Sequence, residues 1–135
     1  MSVTQFLKLY GISAAVCLVL DLLWLGVVAR SFYQRHLGYL MRPDVRWGAA
    51  LLFYAIYVAA LVVFVVIPAI ERQSMGRALL LGAFFGFAAY SAYDLTSLAL
   101  VKDFPLTVAV VDLVWGSILS AVVCGSTYVA ARAGV

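Results

Sequence analysis

"SAYDLTSLALVKDFPLTVAVVDLVWGSIL", residues 91–119, decides how this chain folds. Two apolar runs meet at Lys102-Asp103-Phe104-Pro105, a break that leaves room only for a tight hairpin between antiparallel helices. Asp94 lies inside the first run and Asp112 inside the second, each with hydrophobic residues on both sides. Further back, "VLDLLWLGVV", residues 19–28, sets Asp21 in almost the same context as Asp112. The chain keeps three carboxylates where carboxylates are expensive.

The surroundings of that hairpin are equally apolar. Of the 135 residues, 67% are hydrophobic and 11% charged, whereas a soluble domain is about half apolar and a quarter charged. A chain this short cannot hide such an excess in one core, so lipid must be its solvent. A helix needs about 20 apolar residues to cross the hydrocarbon core, and four segments qualify, near 4–29, 46–69, 75–101 and 105–131. The expected fold is all-α: a polytopic membrane protein, one domain over 1–135, built as a bundle of four transmembrane helices. Asp21 and Trp24 inside the first run argue for a retained span over a cleaved signal. The nine basic residues are scattered among loops and termini, which excludes a nucleic-acid footprint. Arg30, Arg35, Arg42, Arg46 and Lys102 fall on one side, and Lys8, Arg72, Arg77 and Arg132 on the other. That near balance sets no orientation and is compatible with dual topology.

The connections can be read as well. Arg42-Pro43-Asp44 breaks the chain before the second helix, and Pro68 with "ERQSMG" closes that helix. Asp103 is a candidate cap for the fourth helix, with Pro105 in its first turn. In "RSFYQRHLGYLMR", residues 30–42, the residues Phe32, Tyr33, Leu37, Leu40 and Met41 share one helical face and arginines take the other. This pattern predicts a short helix lying in the membrane interface, its apolar face toward lipid. The single histidine, His36, leaves a zinc site without a ligand set, and Cys17 and Cys124 read as small packing residues.

Counting from the helix ends brings the aspartates to one level. Asp21 lies nine residues before Arg30, Asp94 eight before Lys102, and Asp112 nine after Asp103. These three ends emerge on the same side because the helices alternate direction. At 1.5 Å rise per residue each carboxylate sits roughly 12–13 Å below that surface. Tyr54, eight residues beyond Arg46, brings a phenol to the same depth. The helical faces agree: Ser13, Cys17 and Asp21 recur every four residues, as do Gly82, Gly86, Tyr90 and Asp94, and Asp112, Gly116, Ser120 and Cys124. Small residues at that spacing let helices approach closely in lipid, so each aspartate should point inward. Asp21 and Trp24, like Asp112 and Trp115, are three apart, which sets each indole beside its own carboxylate.

An aspartate at a helix centre in the membrane costs about 2.5–3.5 kcal/mol on insertion scales. No lysine or arginine lies at the depth of the aspartates to compensate, since Lys8, Arg46 and Arg77 stand near span ends. At least one carboxyl should therefore hold a proton unless a cation is bound. Ionisable groups at this depth commonly mark a functional site.

The stretches "DLLWLGVVARSFYQRHLGYL", "FYAIY", "AYSAYDLTSLA" and "VVDLVWG" together resemble the bacterial membrane family called domain of unknown function 2177. The resemblance spans nearly the whole chain, with Ser97 standing where the family pattern has asparagine. It implies a four-helix protein of the bacterial inner membrane and assigns no activity.

Three functions fit these residues. In the first, Asp21, Asp94 and Asp112 are candidate catalytic or anchoring carboxyls in an intramembrane site. Trp24, Tyr54, Tyr57, Tyr90, Tyr93, Thr96 and Trp115 would line it and bind a lipid-like or other apolar small molecule. Binding alone and binding with acid–base conversion both suit that set. The second is a small proton- or cation-coupled transporter acting as a homo-oligomer. The third is a structural or accessory membrane protein in which the aspartates are packing glue. The cofactor is left open by all three.

Overall fold

The computed structural model describes residues 2–39 and 46–134. Four helices are long and apolar enough to cross a membrane: α1 (Val3–Val27), α3 (Trp47–Glu71), α4 (Met75–Leu100) and α5 (Leu106–Arg132). A fifth, α2 (Arg30–Leu37), is short and joins the end of α1 toward the second span. Leu40, Met41 and the expected break at Arg42-Pro43-Asp44 lie outside the described residues.

Local chemistry explains most boundaries. The Ser2 hydroxyl accepts a hydrogen bond from the Gln5 amide at 3.1 Å, and the Ser74 hydroxyl accepts one from the Arg77 amide at 3.0 Å. Each serine thereby satisfies one of the free amides at the start of a span. The second span ends at Glu71, the first residue of the expected "ERQSMG" break, after running three residues past Pro68. A proline lacks the N–H for an i−4 bond, and the π turn at Val62–Val66 widens the helix just ahead of it. Asp103 does not cap α5. It sits at φ 61 in the hairpin, a left-handed conformation that aspartate tolerates better than most residues, and Pro105 stands at the cap position before Leu106.

The bundle is packed unevenly along its length. Leu9, Val58, Leu61, Val62, Val65, Val66, Leu119 and Val123 fill an apolar core toward one end. α4 and α5 make the most extensive helix contact in the molecule, and glycines allow it. A Cβ on Gly82 would stand 2.9 Å from the Ser120 carbonyl oxygen, and one on Gly86 would overlap the Gly116 carbonyl oxygen. Inside this packing the Ser13 hydroxyl bonds the Thr127 hydroxyl at 2.8 Å, tying α1 to α5. Cys17 and Cys124 are buried free thiols in the same core. Toward the other end the packing loosens. Every residue from Trp47 to Phe53 is exposed, and α4 packs on α3 mainly from Val62 onward.

Candidate functional site

The cavity left by that loosening has a volume of about 500 Å³. Asp21, Asp94 and Asp112 all line it, together with Trp24, Tyr90, Tyr93 and Trp115. The common depth counted along three helices therefore becomes a common wall. Among the described residues no lysine, arginine or histidine lines it.

Each carboxylate is held differently. Asp21, on α1, accepts from the Tyr54 hydroxyl at 2.6 Å and from the Trp115 indole N–H at 3.2 Å. Asp112, on α5, accepts from the Tyr33 hydroxyl, and the Trp24 indole N–H donates to that same phenol oxygen at 3.1 Å. Asp94, on α4, is fully buried, and neither of its oxygens has a hydrogen-bond partner among the described residues.

The indoles thus do not serve the aspartate three residues away. Trp115 bonds the carboxylate of α1, and Trp24 reaches Asp112 only through Tyr33. The exchange follows from the stacking of Trp24 on Trp115, with centroids 4.5 Å apart and planes 7° from parallel. Two rings from facing helices that stack must each lean across the helix boundary, so each N–H finds its partner beyond its own helix.

α2 forms between the first two spans as expected, and its apolar residues also meet protein. A π turn over Trp24–Val28, closed by the Ala29 amide bonding the Trp24 carbonyl at 2.7 Å, ends α1 and turns the chain back. Phe32, Tyr33 and Leu37 then face the hairpin of α4 and α5, packing on Phe104, Val108 and Ala109. His36 is satisfied within α2, donating from Nδ1 to the Phe32 carbonyl at 2.9 Å. Burial first, and the bond to Asp112 next, push the Tyr33 phenol above its usual range, so it stays protonated and donates. Replacing Tyr33 with phenylalanine should free α2 while leaving the four spans folded. Hydrogen exchange over 30–37 should rise about tenfold for the loss of one charge-assisted bond. Unchanged protection there would show that apolar packing alone holds α2 in place.

Among the other expected residues, Tyr90 and Tyr93 line the cavity and Tyr54 touches it through Asp21. Tyr57 does not line it; its hydroxyl bonds Ser120 inside the core. Thr96 does not line it either, since it is exposed and donates to the Ala92 and Tyr93 carbonyls of its own helix. The cavity also takes Tyr33, Leu37, Leu25, Phe53 and Ala89. The shared face of Tyr33 and Leu37 was visible in sequence, but periodicity cannot tell a face that meets lipid from one that meets protein. Leu25, Phe53 and Tyr93 are more than half exposed and form the rim.

The profile of the family described as "Predicted membrane protein (DUF2177)" matches residues 6–129. The chain belongs to that family. It is accordingly an integral, multi-pass membrane protein. No curated protein and no solved structure matches it. In this DUF2177 chain the four stretches that carry the resemblance come together in space. They supply Asp21 and Trp24, Phe53 and Tyr54, Tyr90 and Asp94, and Asp112 and Trp115, all at the cavity or bonded to its wall.

Proposed function

We propose that this chain is a protein of the bacterial cytoplasmic membrane whose interior cavity binds an apolar, lipid-like small molecule taken from the bilayer. The observation that carries the reading is the cavity itself: about 500 Å³, lined by aromatic side chains and three carboxyls. Small-molecule sites fall at roughly 300–1,000 Å³ and combine apolar walls with a few placed polar groups. Its rim supports entry from lipid. Leu25, Phe53 and Tyr93 are exposed on faces that meet the hydrocarbon, and the start of α3 stands apart from α4 beside them. A solute dissolved in the membrane reaches the aspartates sideways, without crossing water.

Native mass spectrometry of the protein released from lipid nanodiscs should show one extra mass per chain. Ala89 lines the cavity, so Ala89→Trp would fill part of it and should remove that mass while the helix content is kept. A bare chain in both samples, or an adduct indifferent to the substitution, would overturn the reading.

A further inference from the structure

The cavity's hydrogen bonds are unequally shared, and the inequality bears on what chemistry can bind there. Asp21 has two donors and Asp112 has one, the latter a phenol steadied by an indole. Asp94 has none among the described residues, although it is fully buried and lines the same space. A buried carboxylate without a partner is among the most costly groups a protein can hold. Among the described residues no cationic side chain lines the cavity to relieve it. A neutral hydroxyl brings one donor, whereas an ammonium brings up to three together with the charge three carboxyls call for. The remaining wall suits a cation as well, because Trp24, Trp115, Tyr90 and Tyr93 present aromatic groups around the space, and ring faces attract positive charge.

Resting on the cavity reading above, we propose that the occupant is a lipophilic amine, bound in its protonated form with an ammonium N–H donating to Asp94 and its apolar body against the tryptophan and tyrosine rings. Asp94 is then the residue that selects head-group charge. Asp21 and Asp112, already engaged by Tyr54, Trp115 and Tyr33, shape the wall.

Three probes with one apolar body and different heads test this: phenylbutylamine, phenylbutanol and phenylbutyrate. Binding is measured on the full chain in nanodiscs and corrected with empty nanodiscs. The amine should bind at least about tenfold more tightly than the alcohol, the scale of a charge-assisted hydrogen bond, and the carboxylate most weakly. In Asp94→Asn the preference for the amine should vanish while the alcohol still binds, which shows the fold intact. The comparison of amine with alcohol on the unaltered protein needs no variant, so misfolding of Asp94→Asn would leave the test standing. Equal affinity for amine and alcohol overturns the ammonium assignment, and so does a preference that survives Asp94→Asn. If both bind equally and Ala89→Trp blocks both, the cavity reading survives and the amine does not. If none of the three binds, both fall together.

Discussion

Gly86→Ala should destabilise the bundle by about 3 kcal/mol or more, the upper end of the usual cost of overpacking. The added methyl would overlap the Gly116 carbonyl oxygen and lie 2.7 Å from the Ser120 Cβ. The first of these is helical backbone, which cannot rotate aside as a side chain would. Relief requires α4 and α5 to separate, and that contact holds Asp94 and Asp112 on one wall. In lipid there is little hydrophobic drive to close the gap again, since helix association there rests on close packing. Gly11→Ala is the control, because nothing stands within 4 Å of its Cβ position. It should change stability by less than about 0.5 kcal/mol, as surface substitutions do. Reversible unfolding in bicelles, followed by circular dichroism, reads both. Equal stability of the two variants would show that α4 and α5 have slack that the structure does not display.

Removing the Asp21 carboxylate should have the next largest effect, about 2 kcal/mol for Asp21→Ala. The loss strands two donors at once, the Tyr54 hydroxyl and the Trp115 N–H. An unpaired buried donor costs more than the net worth of the bond it made. Asp21→Asn should cost less, because an amide oxygen still accepts one of the two. The asymmetry gives a sharper check than either value alone. With Tyr54→Phe already in place, Asp21→Ala strands only the indole, so the double variant should be less destabilised than the two single losses added together. A coupling of about 1 kcal/mol is expected for side chains in direct contact. Strict additivity would mean that the Tyr54–Asp21 bond contributes nothing, and that stacking of Trp24 on Trp115 alone fixes this side of the cavity.

The four spans, the depth of the aspartates and the faces that carry them are legible in the order of residues alone. Span length follows from bilayer thickness, depth from rise per residue, and facing from the recurrence of small residues, all local regularities of a helix in lipid. That is why Asp21, Asp94 and Asp112 could be brought to one level before any contact was known, and why Gly86 and Gly116 stand on the inward faces. Only the tertiary structure decided which partner each group takes. Spacing of three residues set Trp24 beside Asp21 and Trp115 beside Asp112; the stacked rings send Trp115 to Asp21 and Trp24 to Tyr33. The apolar face of α2 was legible, but its packing on the α4–α5 hairpin rests on the π turn over Trp24–Val28 and on a phenol finding a carboxylate on another helix. Tyr57 and Thr96 were placed at the site by depth and composition, yet a bond to Ser120 takes the first into the core and bonds to its own helix keep the second outside the cavity. Periodicity fixes where a side chain starts, at a height and on a face. Hydrogen bonds across helices depend on the azimuth of neighbours distant in sequence, and no local pattern encodes that.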